Sequence, residues 1–208
     1  MPKHEVPLGE LESFIPAGSF EDAVSFIRQY NVHLTVTRQR QTILGDYRHK
    51  YGDKTHRISI NGNLNQYSFL ITLLHELAHL FTFERYGNKV MPHGREWKSE
   101  FSAILTRFIE KKIFPPDIES ALLRSLHNPA ATSCGDEQLL RVLRKYDAKK
   151  ENHALVEQLS PGEIFRIKGG RIFRCEKKIR TRYKCQEVAT GKWYLFSGVY
   201  EVERVGQA

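Results

Sequence analysis

The feature that most constrains this chain is a long apolar stretch that contains two histidines and a glutamate. Residues 68–87 read SFLITLLHELAHLFTFERYG, in which His75, Glu76 and His79 form an H-E-x-x-H pattern. The flanking positions are nearly all apolar, which predicts a helix buried in the core. Two imidazoles and a carboxylate are costly to bury there unless they share a partner. One helical turn separates the histidines, so both can bind the same metal ion.

The third metal ligand must come from elsewhere, because a catalytic zinc site usually has three protein ligands and leaves a fourth position for water. The subclass with the extended pattern H-E-x-x-H-x-x-G-x-x-H is excluded, since Thr82 and Arg85 occupy its glycine and its last histidine position. The next segment, HGREWKSEF, offers His93, Glu96 and Glu100. His93 is favoured, because a residue where a loop meets a helix can turn back towards the first helix. The residues alone leave a two-histidine, one-glutamate site open.

Upstream of the histidine helix, the sequence predicts one helix and three short strands. Ser19 is the predicted N-cap of a helix over residues 19–30. Runs of β-forming residues predict strands at residues 32–37, 42–49 and 55–62. Strands that follow each other commonly pair, so we expect a three-stranded antiparallel sheet that covers one face of the histidine helix. These elements predict an α+β fold.

Downstream, the pattern changes from helices to strands. Helical periodicity is present at residues 93–112, 117–128 and 136–152. Beyond Ser160-Pro161-Gly162, short period-two segments alternate with glycine turns, which predicts a small all-β appendage. We therefore expect one domain over residues 1–159 and a second domain over residues 160–208.

Composition and cysteine usage favour a cytoplasmic protein. The chain contains no run of 18 apolar residues, so no transmembrane helix is expected. Residues 1–14 lack the apolar segment of a signal peptide. The three cysteines, Cys134, Cys175 and Cys185, make no disulfide framework, which agrees with a reducing compartment.

Four motifs follow each other over about residues 18–112: the strand GDYRH, the strand HRISIN, the helix TLLHELAHL and the segment HGREWKSEF. This combination resembles the SprT-like metallopeptidase domain of the SprT/Spartan family. The resemblance implies a zincin-like core in which His75, His79 and His93 bind Zn²⁺ and Glu76 is catalytic. It implies a zinc-dependent endopeptidase that hydrolyses peptide bonds of a protein substrate, with Glu76 as general base towards water. An oxyanion donor is also needed, and the sequence offers four that it does not rank: Tyr47, Tyr67, Tyr86 and Arg95.

The C-terminal domain departs from the zinc ribbon in which this family often ends. FRCEKK and YKCQEV each keep one cysteine of a C-x-x-C knuckle, but Lys178 and Val188 occupy the second positions. Two thiolates cannot supply the four ligands of a structural zinc site. We therefore expect a zinc-ribbon-like sheet that lacks a full set of ligands, with Cys175 and Cys185 as core or surface thiols.

Basic charge is concentrated in the same domain. Residues 160–208 contain eleven lysines and arginines against five glutamates, a balance of +6 within a net charge of +8. Basic residues interleaved with aromatic residues suit single-stranded DNA, although a small aromatic core with a solvated basic face explains the pattern equally. Two functions therefore remain open: a zinc endopeptidase that acts on DNA-associated proteins, and a nucleic-acid-binding protein whose metal site is structural or without peptidase activity.

Overall fold

The computed structural model describes residues 8–40, 42–126, 136–148 and 150–206 and has an α+β fold. The chain divides into two compact units, of which the first ends at Asp147 and the second begins at Ala148. This division lies upstream of the expected boundary between residues 159 and 160. The reason is that residues 153–158 contribute a strand and a short 3-10 turn to the second unit.

The first unit contains five α-helices and three strands within the described residues. A short 3-10 helix, Leu8–Ser13, precedes them, and another, Arg144–Tyr146, follows them. The elements in chain order are α1 (Phe20–Gln29), β1 (Val32–Thr37), β2 (Gly45–Arg48), β3 (His56–Asn61), α2 (Gln66–Tyr86), α3 (Arg95–Glu110), α4 (Pro116–Ser125) and α5 (Glu137–Leu143).

Helix α2 is the centre of this unit, as its sequence predicted. Nearly every side chain from Phe69 to Leu80 is buried, on all sides of the helix. Asn65 caps its start, because the side-chain oxygen accepts hydrogen bonds from the backbone N–H groups of Tyr67 and Ser68 at 3.1 and 2.9 Å. Gly87 ends it with a positive φ of 62°, a conformation that glycine adopts at little cost.

The sheet beside α2 is mixed, so the expectation of an antiparallel sheet is wrong. Its strand order is β1-β3-β2. Strand β3 pairs in parallel with β1 and antiparallel with β2. Strand β3 is central because it has the most buried side chains of the three, including Ile58 and Ile60. Period-two alternation reports which faces are buried and not which strands are neighbours, so the sequence could not give this order.

Arg40 holds the connection between β1 and β2 against the central strand. Its guanidinium donates hydrogen bonds to the side chains of Asn61 and Ser59 at 2.8 and 2.9 Å, and to the carbonyl oxygen of Ser59 at 3.0 Å. The chain therefore passes β3 before it returns as β2. The parallel neighbours β1 and β3 cannot be joined by a hairpin, and the chain between them contains β2 on the other side of β3.

Helix α3 lies within the predicted segment 93–112, and α4 begins one residue before the predicted segment 117–128. Helix α5 is shorter than expected: it ends at Leu143 and is followed by the 3-10 turn, although helical periodicity was read up to residue 152. Leu139 and Leu143 are buried, but beyond Tyr146 the sequence offers charged residues and no apolar face to bury. None of the helices in the described ranges has the length and apolar composition needed to cross a membrane.

The second unit is a six-stranded sheet with a separate core. Its strand order is β4-β9-β5-β6-β7-β8, and its paired neighbours are antiparallel. Five of the strands were expected from the sequence, whereas β4 lies upstream of Ser160-Pro161-Gly162, where no strand was predicted. Phe165, Phe173, Cys175, Cys185 and Val202 lie in its core. The strands are β4 (His153–Leu155), β5 (Ile164–Arg166), β6 (Ile172–Ile179), β7 (Arg182–Glu187), β8 (Trp193–Ser197) and β9 (Glu201–Gly206).

Asp22 provides a test of how α1 is attached to α3. Its buried carboxylate accepts a hydrogen bond from Arg107 at 2.5 Å and another from Lys111. Burial by itself raises the pKa of Asp22, but the hydrogen bonds from Lys111 and Arg107 outweigh it, so the pKa lies below its usual value. We expect Asp22→Asn to lower the free energy of unfolding by about 1–3 kcal/mol at neutral pH, measured by chemical denaturation.

The pH dependence of this difference has a definite sign. Because the folded-state pKa of Asp22 is lowered, its contribution is complete above the unfolded pKa and is lost as the pH falls through the folded pKa. The difference between wild type and Asp22→Asn should therefore shrink in acid. Glu21→Gln is the control, since Glu21 is exposed on the same helix. An equal effect of both substitutions would contradict the assignment.

Candidate metal centre

Three histidines from two parts of the chain converge beside α2. His75 and His79 lie one turn apart on the helix, and His93 lies in the turn before α3. The Nε2 atom of His93 is 3.2 Å from that of His75 and 3.0 Å from that of His79. A hydrogen bond would need one protonated nitrogen in each pair, whereas a cation can accept a lone pair from all three. The three side chains therefore form a candidate metal site.

The turn that carries His93 has a specific backbone conformation. His93 has a positive φ of 57°, in the left-handed region that few non-glycine residues adopt. The N–H of Gly94 closes the turn with a hydrogen bond to the carbonyl oxygen of Met91 at 2.9 Å. A Cβ atom at position 94 would lie 2.9 Å from that same oxygen, so the turn requires glycine. The H-G pair of the sequence thus fixes where the third imidazole lies.

Trp97 packs against all three imidazoles. It is fully buried on α3, and its ring centroid is 4.6 Å from that of His75, 5.3 Å from that of His79 and 4.7 Å from that of His93. The ring of Phe101 stacks on Trp97 with centroids 5.1 Å apart, and its centroid is 5.6 Å from that of His75. This aromatic wall restricts rotation of the imidazoles and excludes water from one side of the site.

The environment keeps the imidazoles neutral, which is the form that binds metals. Burial, followed by the proximity of His79 and His93, lowers the pKa of His75 to about 3. Burial and His93 lower the pKa of His79 to about 4, and burial lowers that of His93. At neutral pH each imidazole therefore has a free lone pair for a cation.

Glu76 lies next to His75 on α2 and is buried, with 6% of its surface exposed. Burial, reinforced by the nearby Asp46 carboxylate, raises the pKa of Glu76 to about 8, although Arg40 and a backbone hydrogen bond from Tyr47 oppose the shift. A carboxyl group with a pKa near neutrality can both accept and release a proton in that range. A bound cation would favour its ionised form.

Strand β2 approaches Glu76 so closely that only glycine fits at position 45. A Cβ atom on Gly45 would lie 2.5 Å from Oε1 of Glu76 and 2.7 Å from Cγ2 of Thr72. Two residues along the strand, the backbone of Tyr47 makes the hydrogen bond to the Glu76 carboxylate. The G-x-Y pattern of this strand is therefore part of the site.

The other ligand candidates lie away from this group. Glu100 makes a salt bridge with Arg85 at 2.5 Å, and neither Glu100 nor Glu96 belongs to the three-histidine cluster. In the second unit, Cys175 and Cys185 are directly opposite each other on β6 and β7, and both are buried as core thiols. They lie within strands and not in hairpin turns. Cys134 lies outside the described residues.

The four candidates for an oxyanion donor have different positions. The ring of Tyr47 is parallel to that of His79, with centroids 6.4 Å apart. Tyr67 packs against Tyr146 and Phe114 instead. Tyr86 lies about two helical turns beyond His79 at the end of α2. Arg95 lines a cavity of about 400 Å³ together with His93. Tyr47 and Arg95 are therefore the two that adjoin the histidines.

Sequence reasoning assigned no role to several residues at this site, namely Gly45, Asp46, His56, Glu84 and Trp97. Gly45 and Trp97 stand inside the motifs GDYRH and HGREW, which is the signal that was available. The close approach of the β2 backbone to the Glu76 carboxylate leaves no periodic or compositional signal in the sequence. Only the packed structure therefore identifies it.

Comparison with known proteins gives one match. Residues 19–115 match the model of the SprT-like family. This range includes all three histidines, Glu76 and the β2 strand. A search of curated proteins and a search of solved structures found no match.

Replacement of His93 tests whether the third imidazole is a metal ligand. We expect His93→Ala to lose most of the zinc bound by the wild type at micromolar concentration, because two imidazoles cannot replace three. Zinc content after gel filtration measures this. Glu100→Gln is the control, and it should retain zinc because Glu100 pairs with Arg85. Zinc loss in Glu100→Gln with retention in His93→Ala would reverse the ligand assignment.

Proposed function

We propose that this chain, a SprT-like protein by the match of residues 19–115, is a zinc-dependent endopeptidase with a zincin-like core. One observation carries the proposal: the Nε2 atoms of His75, His79 and His93 converge beside the buried carboxyl group of Glu76. Three protein ligands leave a coordination position open, as in catalytic zinc sites, whereas structural zinc sites are closed by four. The substrate class that follows is a protein or peptide.

The donor set fits zinc. In a tetrahedral site with Zn–N distances of about 2.0–2.1 Å, the ligand nitrogens are about 3.3 Å apart. The observed separations of 3.0 and 3.2 Å are close to that value. Neutral imidazoles that pack against Trp97 also suit zinc, which binds nitrogen ligands well. When bound, zinc supplies Lewis-acid polarisation of the scissile carbonyl group and lowers the pKa of a water molecule.

Glu76 supplies the proton transfer in this proposal. As the neighbour of a metal ligand on the same helix, it takes the proton of the attacking water molecule and passes it to the leaving nitrogen. The backbone hydrogen bond from Tyr47 and the contact with Gly45 fix the position of its carboxylate. A structural metal site would have no use for a buried carboxyl group held in this way.

A second function is favoured by one surface of the second unit. On strands β6–β8, one face carries Arg174 opposite Gln186, and Gln186 opposite Trp193. The next row along the same face consists of Lys177, Lys184 and Leu195.

The side chains of this face are unusually placed for a solvated surface. Trp193 is 47% exposed, and the Lys184 ammonium group lies 3.9 Å from its ring centroid. Lys177 and Lys184 are directly opposite each other, although like charges in that position destabilise a sheet. A polyanion would relieve that repulsion, and an exposed aromatic ring can stack on a base. We infer that this face binds single-stranded nucleic acid, which would direct the peptidase to DNA-associated proteins.

The first experiment tests whether the metal site is catalytic or only structural. Glu76→Gln should retain zinc and lose essentially all cleavage of an unfolded protein substrate, because the amide cannot take a proton from water. Zinc content and product formation are measured on the same sample. Wild-type cleavage that persists in Glu76→Gln would refute the general-base assignment. Zinc-loaded wild type without any cleavage would favour the nucleic-acid-binding alternative.

The contact between β2 and Glu76 gives an independent test. Gly45→Ala places a methyl group 2.5 Å from Oε1 of Glu76, so the carboxylate must move. We expect kcat to fall by at least about tenfold while zinc content is unchanged. Gly9→Ala is the control, because a Cβ at that position meets no atom within 4 Å and its backbone is outside the left-handed region. Full activity in Gly45→Ala would show that the position of Glu76 is not critical.

The nucleic-acid face is tested with paired lysine substitutions. Lys177→Gln with Lys184→Gln should weaken binding of a single-stranded oligonucleotide and lower its dependence on salt, because fewer counterions are released. The matched control is Lys150→Gln with Lys168→Gln, which removes the same charge outside this face. Fluorescence anisotropy at several salt concentrations measures both. Equal losses in the two double variants would indicate only non-specific attraction by net charge.

A further inference from the structure

His56 is a buried histidine beside the metal centre that the three-histidine cluster does not use. It lies at the start of β3 with 3% of its surface exposed. Its Nδ1 atom is 2.9 Å from the hydroxyl oxygen of Tyr47. Its Nε2 atom is 3.3 Å from Oε1 of Glu84, which also accepts a hydrogen bond from Lys50 at 2.8 Å. These contacts form a chain of polar groups from the surface to Tyr47, hereafter the Glu84–His56–Tyr47 chain.

The charges in this chain determine the direction of its hydrogen bonds. Glu84 is paired with Lys50, and a carboxylate can only accept. The His56 proton therefore belongs on Nε2, which faces Oε1 of Glu84 at 3.3 Å without the alignment of a regular hydrogen bond. Nδ1 is then left with a lone pair, so the Tyr47 hydroxyl donates its hydrogen to Nδ1. This assignment commits the only hydrogen of the phenol to His56.

Tyr47 contacts the candidate active site through two of its parts. Its ring is parallel to the imidazole of His79 within 3°, with the centroids 6.4 Å apart. Its backbone makes the hydrogen bond to the carboxylate of Glu76. One residue therefore touches both a proposed metal ligand and the proposed general base.

The geometry makes Tyr47 unsuitable as a free oxyanion donor. Its hydroxyl group is already engaged by His56, and a buried histidine that lost this partner would be left with an unsatisfied nitrogen. The same hydrogen bond makes it suitable for another role. The hydrogen bond to His56 holds the hydroxyl end of the Tyr47 side chain. The ring of Tyr47 stacks on His79, and its backbone contacts Glu76.

We propose that Tyr47 is a positioning residue, held by the Glu84–His56–Tyr47 chain, which sets the orientation of the His79 imidazole and of the Glu76 carboxylate. The inference rests on the proposed zinc-peptidase function, which it deepens. Groups that orient metal ligands from outside the coordination sphere commonly change metal affinity or activity by about 10–100-fold when they are altered. His56 and Glu84 then act through Tyr47 and do not touch the substrate.

Tyr47→Phe is the most selective variant, because it removes one oxygen atom and keeps the ring. We expect zinc affinity to fall about tenfold and kcat to fall at least about tenfold with little change in KM. After replacement of zinc by Co²⁺, the visible absorption bands should shift, because ligand orientation at His79 changes. Tyr51→Phe is the matched control, since Tyr51 is 82% exposed and lies outside the chain.

Two substitutions of His56 distinguish positioning from simple core packing. His56→Phe removes both nitrogens and should reproduce the effects of Tyr47→Phe. His56→Asn keeps an acceptor near the place of Nδ1 and should restore part of the Co²⁺ spectrum and of kcat. His49→Gln is the control, because His49 is exposed. Its Co²⁺ spectrum and kcat should equal those of the wild type.

Each outcome has a definite meaning. Variants that unfold at lower temperature but keep the wild-type Co²⁺ spectrum, zinc affinity and kcat would overturn the proposal and leave the Glu84–His56–Tyr47 chain as core packing. Altered spectra and zinc affinity support it even if no variant, wild type included, cleaves any substrate. In that last case the peptidase function fails, while the positioning of His79 stands, so the two failures are distinguishable.

Discussion

The first unit depends on one physical constraint, which is the placement of a buried imidazole, two half-buried imidazoles and a buried carboxyl group on and beside an apolar helix. Isolated charged groups at these positions would be unstable, and the surroundings respond by lowering the pKa values of His75 and His79 and by raising that of Glu76. Neutral imidazoles with convergent lone pairs are satisfied by a cation. Trp97 is fully buried and closes one side of the site.

The mixed sheet has a direct consequence for this site. In an antiparallel sheet with the strands in chain order, β2 would lie in the middle, and both sides of its backbone would be paired. As an edge strand, β2 has outward-facing backbone groups that β3 does not use. The backbone of Tyr47 can therefore bond to Glu76, and Gly45 allows the strand to come close enough. Thus the same feature that the sequence did not predict also supports the carboxylate of Glu76.

The second unit has a different physical basis. Its core is a small aromatic cluster around Phe165 and Phe173, with the two cysteines as apolar side chains opposite each other. The basic side chains of the β6–β8 face lie outside this core, and the Lys184 ammonium group contacts the ring of Trp193. The candidate metal site thus lies in the first unit and the basic β6–β8 face lies in the second unit, and each unit has its own hydrophobic core.

The sequence by itself determined α2 and predicted the three histidines that converge in the structure. Apolar burial, helical spacing and the H-E-x-x-H pattern are local properties, so His75, Glu76 and His79 could be read directly. His93 was favoured from its place at a loop-to-helix junction, and the family resemblance raised it above Glu96 and Glu100. Only the tertiary structure decided the strand order, the closeness of Gly45 and the role of Tyr47 and its partners. Those features depend on contacts between residues distant in the chain, and no local pattern encodes such distances.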